Sequence, residues 1–179
     1  HRGCMCTPCR VRRAGVCLGL REAGLRVEPC SLGFPALQLD LRLNRRPVAA
    51  VPARGPLMVV ANHPFGVVDG IILCWLVAQV RSDYQIMTHR VLHQAPEVRP
   101  RILPVDFSGT DAATMNNLRS RRRARELLDD DGALLVFPGG GVAAAPKTFG
   151  RAIDRPWGTL AAKLALATGA PVLPVFFHG

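Results

Sequence analysis

The sequence has no apolar run long enough to cross a membrane as a helix. Its longest uninterrupted apolar stretch covers residues 71–78, whereas a spanning helix needs about 20 apolar residues. No signal peptide is recognisable near the start. Any contact with a membrane is therefore expected at the membrane surface.

Motifs for two common catalytic machineries are also missing. No Gly-x-Ser-x-Gly turn exists, which leaves a serine hydrolase of that type without a nucleophile. A near-match to a P-loop begins at Gly141, but Pro146 replaces its second glycine and lacks the N–H that would meet phosphate. Cys74 lies on the apolar face of a predicted helix and is expected to pack in the core. Nucleotide hydrolysis and thiol catalysis are therefore not expected.

Cysteine is concentrated at the start of the chain, where it could form a metal site. Four of the six cysteines lie in the first 17 residues, at positions Cys4, Cys6, Cys9 and Cys17. Four thiolates can hold zinc, but the paired Cys-x2-Cys spacing of most such sites is absent. His89 and His93 are four residues apart and lack a third ligand, so surface histidines are expected. We therefore predict free thiols, no bound metal and no resident cofactor.

Positive charge is in excess, and nearly all of it is arginine. The formal net charge is +10, from 23 basic and 13 acidic residues. Arginine binds phosphate as a planar fork, and a basic surface suits nucleic acid, an anionic membrane or a phosphate-bearing substrate. A GC-rich genome gives the same bias. The single tyrosine and the absence of known nucleic-acid-binding motifs argue against a nucleic-acid partner.

Short apolar strands alternate with helical segments in the larger part of the chain. The pattern predicts strands at 57–61, 86–88, 102–105, 133–137 and 171–177, and helices at 68–80, 114–128 and 159–168. Such alternation indicates an α/β fold with a mixed, largely buried sheet flanked by helices. Residues 1–45 form a basic, cysteine-containing segment and residues 46–179 the main domain. We expect both ends to be cuts within a longer protein.

The strongest candidate for chemistry is the polar break at residues 62–66. It places His63 where a strand turns into a helix, at the carboxyl edge of the sheet. Asp69 follows six positions later, and a regular helix would point the two apart by about 240°. Pro64 and Gly66 favour a non-helical turn that folds Asp69 back onto the ring. The free ring nitrogen could then accept a proton, whereas the alternative interpretation is a histidine that only caps the helix.

Two further signals concern anion binding. The glycine run Phe137-Pro138-Gly139-Gly140-Gly141 follows a buried strand, where backbone N–H groups can form an anion nest. A plain loop is the alternative. Two basic groups are candidates for phosphate contacts, although a solvated surface is the alternative for each: Arg119, Arg121, Arg122, Arg123 and Arg125 in one, Lys147, Arg151 and Arg155 in the other. Trp157, near the second group, is expected to pack in the core.

In this order the segments resemble the glycerolphosphate and lysophosphatidate acyltransferase superfamily. Its Asn-His and downstream Asp are matched by Asn62, His63 and Asp69. Its second motif resembles residues 103–110, and its apolar fourth motif residues 172–175. Its Phe-Pro-Glu-Gly is matched at residues 137–140, except that Gly139 replaces the glutamate. This change, with five residues rather than four between His63 and Asp69, resembles the hemolysin-like or ornithine-lipid-type branch.

The resemblance implies an enzyme that transfers an acyl group from coenzyme A or acyl carrier protein to a hydroxyl or amine of a lysolipid-type acceptor. His63 would be the general base and Asp69 would orient it, without an acyl-enzyme. The residues implied at the substrate are Asn62, Gly66, Arg119, Phe137, Pro138, Gly139, Gly140, Lys147 and Arg151. A cytoplasmic protein held peripherally on the inner membrane face is expected. The alternative is a binding protein for anionic membranes without catalysis.

Overall fold

The computed structural model describes residues 48–145 and 153–177. The chain divides into two units, residues 1–50 with Gly179 and residues 51–178. Of the first unit, the described part contains a short 3-10 turn at Val48–Ala50. The cysteines considered above as zinc ligands, Cys4, Cys6, Cys9 and Cys17, lie outside the described residues.

The second unit is an α/β fold in which strands and helices alternate. Its described strands are β1 (Leu57–Ala61), β2 (Tyr84–His89), β3 (Ile102–Val105), β4 (Ala133–Val136) and β5 (Val172–Val175). Its α-helices are α1 (Val67–Ala78), α2 (Asp111–Asp129) and α3 (Leu160–Thr168), with 3-10 segments at Arg90–Gln94 and Arg99–Arg101. The strands form one sheet in the order β3-β2-β4-β1-β5.

Every strand pairing in this sheet is parallel. The predicted α/β fold with flanking helices is confirmed, but the sheet is parallel rather than mixed. Parallel neighbours need a crossover connection, and the intervening helices provide it. Helix α2 starts three residues earlier than predicted because the Thr110 hydroxyl accepts a hydrogen bond from Ala113 N at 3.1 Å and caps it.

The central strands are buried on both faces. All five residues of β1 and all four of β4 are buried, as expected for a sheet covered by helices on both sides. On one face, α2 and α3 pack on a core of alternate strand residues. This core comprises Met58, Val60, Met87, Leu103, Ala124, Leu128, Leu134, Val136, Ala161, Leu164 and Ala170. Helix α1 approaches the other face, where Gly70 lies beside Ile86.

A buried arginine joins the loops at the amino edge of the sheet. The guanidinium of Arg81 donates to the carbonyl oxygens of Pro52, Gly55 and Asp131 and to the carboxylate of Asp83. Its hydrogen bonds hold the pKa of Asp83 below the ordinary value. These residues precede β1, β2 and β4. Arg81 therefore fixes the loops at the amino edge of the sheet, opposite the carboxyl edge that carries His63.

Within residues 48–145 and 153–177, no helix combines the length and the apolar character needed to span a bilayer.

Candidate active site

His63 lies two residues beyond β1, in a turn that Gly66 makes possible. Gly66 adopts a φ of +70°, in the left-handed region that side chains disfavour, directly before α1. Its carbonyl oxygen accepts a hydrogen bond from Asp69 N at 3.1 Å, which closes the first helical turn. The chain thus reverses between the strand and the helix, as Pro64 and Gly66 predict.

The reversal brings His63 and Asp69 together. His63 Nδ1 lies 3.0 Å from Asp69 Oδ2, and the backbone N–H of Phe65 donates to the same oxygen at 2.8 Å. A carboxylate can only accept, so Nδ1 carries the hydrogen and Nε2 presents its lone pair. The Asp69 side chain is fully buried, and its Oδ1 has no hydrogen-bond partner among the described residues. Most buried polar atoms in proteins have a hydrogen-bond partner, and a catalytic role is one reason for an exception.

The imidazole of His63 is held by stacking and by its own backbone. It stacks on the Phe137 ring with centroids 4.1 Å apart and 20° between the planes, and 17% of the side chain stays exposed. Ala143 N donates to the His63 carbonyl oxygen at 2.8 Å, and His63 N donates to Asp154 Oδ1 at 3.3 Å. The ring is therefore fixed but still accessible to a substrate.

The same aspartate binds Trp157. Asp154 Oδ2 accepts a hydrogen bond from Trp157 Nε1 at 2.6 Å, and half of the indole is exposed. The prediction that Trp157 packs in the core is wrong, because its N–H donates a hydrogen bond to the Asp154 carboxylate at the surface. Asp154 thus joins the His63 loop to the chain segment before α3, a contact that no sequence signal revealed.

Asn62 joins the His63 loop to the end of β5. Its Nδ2 donates to the carbonyl oxygen of Phe177 at 2.9 Å, and Phe177 N donates to its Oδ1 at 2.7 Å. Both the oxygen and the nitrogen of the Asn62 amide are therefore hydrogen-bonded to the backbone. This contact gives Asn62 a supporting position next to the site.

The glycine run forms a tight turn beneath Arg155. Gly140 N donates to the Phe137 carbonyl oxygen at 2.9 Å, and Gly140 has a φ of +64°. A Cβ on Gly139 would lie 3.2 Å from the Arg155 carbonyl oxygen, and one on Gly141 would lie 3.1–3.3 Å from the Arg155 guanidinium. Both glycines therefore allow Arg155 to approach the turn more closely than a side chain would.

These groups surround a cavity of about 550 Å³ at the carboxyl edge of the sheet. Of the predicted site residues, His63, Phe137, Pro138 and Gly140 line it, together with Arg121, Arg155 and the first residues of α3. Asn62, Gly66, Gly139 and Arg119 are not among the described lining residues. Lys147 and Arg151 lie outside the described residues. On a helix, Arg119 and Arg121 point about 200° apart, which is why only the latter reaches the cavity.

Three other arginines of α2 pair along the exposed helix surface. Arg122 and Arg123 lie 3.3 and 3.4 Å from Glu126, and Arg125 lies 3.4 Å from Asp129. These i,i+3 and i,i+4 pairs agree with the solvated-surface interpretation. Burial raises the pKa of the Cys74 thiol to about 12, although the residue is partly buried and is not among the core residues, contrary to its predicted core position.

The segment that resembles the second motif is a joint between β3 and α2. Asp106 and Asn117 exchange two hydrogen bonds, from Asp106 N to Asn117 Oδ1 at 2.8 Å and from Asn117 Nδ2 to the Asp106 carbonyl oxygen at 2.7 Å. The Ser120 hydroxyl also donates to the Pro104 carbonyl oxygen at 2.6 Å. These bonds fix α2, and with it Arg121, against the strand.

Comparison with known proteins identifies the family. A search of curated proteins found no match. A family model described as an acyltransferase matches residues 45–179, which is most of the chain and includes every residue of the cavity. The chain therefore belongs to this acyltransferase family.

Proposed function

We propose that the protein moves a fatty acyl group from a thioester of coenzyme A or acyl carrier protein to a hydroxyl or amine of a lysolipid-type acceptor. The observation that carries this proposal is the His63–Asp69 pair at the wall of the cavity, 3.0 Å apart. A carboxylate on Nδ1 stabilises the imidazolium that forms when Nε2 takes a proton.

In the proposed reaction His63 Nε2 takes the proton of the acceptor O–H or N–H. The acceptor atom forms a bond to the thioester carbonyl carbon, and the tetrahedral intermediate then collapses with cleavage of the C–S bond. The thiolate leaves and takes up the proton from His63, so the enzyme returns to its starting state. No covalent acyl-enzyme is needed, and the elevated pKa of Cys74 argues against a thiolate nucleophile there.

Arg121 and Arg155 support a substrate with an anionic group. Both line the cavity, from α2 and from the segment before α3 respectively. Coenzyme A, the carrier's phosphopantetheine and most lysolipid acceptors carry phosphate or carboxylate, which arginine binds bidentately. The absence of the usual glutamate at Gly139 favours an acceptor other than glycerol 3-phosphate, as in the ornithine-lipid-type branch.

Exposed apolar side chains beside the site favour activity at a lipid surface. Phe65 and Val67 are about half exposed on either side of Gly66, and Val142 lies next to Gly66. The inner face of the cytoplasmic membrane is the surface that a lysolipid substrate implies. The same side chains support the second candidate, a peripheral protein that binds anionic membranes without catalysis.

The test is thioester turnover with a long-chain acyl donor and a panel of lysophospholipid, glycerol-phosphate and lyso-ornithine-lipid acceptors. We expect acceptor-dependent thiol release that is lost in His63→Ala, and the active acceptor defines the substrate class. Vesicle binding by both proteins is the companion measurement. The folded protein could instead show no turnover with any acceptor, while wild type and His63→Ala bind vesicles equally. That result would favour the membrane-binding function.

A further inference from the structure

A second histidine lies on the same cavity as His63. His89 is the last residue of β2 and caps the following 3-10 segment, where its Nδ1 accepts a hydrogen bond from Val91 N at 3.2 Å. Its ring stacks on Phe107 with centroids 5.8 Å apart and 22° between the planes, and both residues line the cavity. His89 is an exposed residue, and the capping bond and the stacking restrain its ring.

The hydrogen-bond partners favour opposite tautomers for the two histidines in their neutral form. Asp69 accepts from His63 Nδ1, so the Nε2 of His63 is an acceptor. Val91 N donates to His89 Nδ1, so the neutral ring of His89 carries its hydrogen on Nε2 and is a donor. One cavity therefore offers an acceptor and a donor from two imidazoles, each fixed by a neighbour on the other ring nitrogen.

The sheet sets the separation of these two groups. Strands β2 and β1 both pair with β4, so their backbones are two strand spacings apart, roughly 10 Å. Phe137 extends from the end of β4 between them and carries the His63 ring. Both side chains line the cavity, so a substrate in it can meet His63 from the β1 side and His89 from the β2 side.

We infer that His89 is a further catalytic residue, which donates a hydrogen bond from Nε2 to the carbonyl oxygen of the acyl thioester as that oxygen becomes negative. The inference rests on the proposed function. The proton stays on His89 throughout, so His89 stabilises the oxyanion while His63 alone transfers a proton. In the nearby glycine turn, the N–H of Gly140 is already bound to the Phe137 carbonyl oxygen.

The test compares two amide substitutions at position 89. In His89→Asn the side-chain oxygen replaces Nδ1 as the cap of Val91 N, but no donor reaches the place of Nε2. In His89→Gln the amide N–H extends to about that place. We expect kcat to fall about 100-fold in His89→Asn, with little change in the KM for the donor or in Tm, and to recover at least about tenfold in His89→Gln.

His93→Asn is the matched control, because His93 lies on the same 3-10 segment and does not line this cavity. We expect its kcat to equal that of wild type. An unchanged kcat in His89→Asn would overturn the inference. Equal losses of kcat in His89→Asn and His89→Gln, accompanied by a lower Tm, would also overturn it.

Nitrogen NMR of the imidazoles tests the tautomers without turnover. We expect His89 to show a protonated Nε2 and His63 a protonated Nδ1, with the signals assigned from the His89→Asn and His63→Ala spectra. A neutral His89 protonated at Nδ1 would overturn the inference. Absence of His63-dependent turnover in wild type would overturn the proposed function and this inference with it, whereas the outcomes above overturn the role of His89 alone.

Discussion

The guanidinium of Arg155 lies directly over Gly141. A Cβ on that glycine would come within 3.1–3.3 Å of three guanidinium atoms, closer than nearly all real contacts of this kind. Because Arg155 lines the cavity, the absence of a side chain at position 141 allows a cation to lie at this place in the cavity wall.

Gly141→Ala is therefore expected to displace Arg155 and weaken binding of the anionic substrate. Loss of one charge-assisted hydrogen bond costs about 1.5–3 kcal/mol, so KM should rise by roughly 10- to 100-fold while kcat changes less. Steady-state kinetics checks this. Gly70→Ala is the matched control, since its added methyl would meet Ile86 at an ordinary 3.7 Å. Equal KM values for Gly141→Ala and wild type would contradict the expected displacement of Arg155 from the substrate.

Asp69→Asn should preserve the loop but remove the negative charge beside His63. His63 Nδ1 and Phe65 N bind the same oxygen, so the amide oxygen of asparagine can replace it and accept from both. The imidazolium formed at His63 then lacks its counter-charge, and we expect kcat to fall by about 10²- to 10⁴-fold with a small change in KM. Circular dichroism and Tm verify the fold. Retention of most of the kcat would mean that Asp69 has only a structural role.

Gly139→Glu, which introduces the glutamate of the usual motif, should damage the site. The Cβ would lie 3.2 Å from the backbone oxygen of Arg155, which cannot rotate away. We expect a loss of about 1–3 kcal/mol in the free energy of unfolding and lower turnover. Gly139→Ala separates the effect of the Cβ from that of the carboxylate. Higher activity on glycerol 3-phosphate in Gly139→Glu would contradict this account.

Cys74 should resist alkylation in the native protein. With a pKa of about 12, only about one thiol in ten thousand is ionised at pH 8, and the thiolate is the reactive form. Iodoacetamide followed by peptide mass mapping, with and without urea, measures this site separately from the other cysteines. We expect labelling only after unfolding and full turnover in Cys74→Ala. An acylated Cys74 peptide isolated during turnover would refute direct transfer.

Arg81→Ala should destabilise the fold without changing the proposed reaction at His63. Its removal leaves the carbonyl oxygens of Pro52, Gly55 and Asp131 without their donor, and we expect a loss of about 3 kcal/mol in the free energy of unfolding. Urea denaturation measures the loss. Arg99→Ala, at an exposed position, is the control and should change stability little. A similar small effect from both substitutions would show that Arg81 is not a structural centre.

The sequence predicts the elements and the His63–Asp69 pair because both depend on local chemistry. Apolar runs bounded by proline and glycine indicate the strands, and Pro64 with Gly66 predicts the turn that brings Asp69 to His63. The positions of Arg155, Asp154 and Trp157 could not be predicted, since they depend on how the segment before α3 lies against the glycine turn. Arg121 was within the predicted basic group, but only the packed orientation of α2 distinguishes it from Arg119.

The paired hydrogen bonds between Asn62 and Phe177 join residues 115 positions apart, and β5 must lie beside β1 for them to form. A ribosome adding about 5–20 residues per second needs on the order of ten seconds to travel that distance. During that time the loop bearing His63 has been made but lacks its neighbour at the sheet edge. The candidate active site is thus among the last parts of the domain to be completed during synthesis, although its histidine is among the first of its residues to be translated.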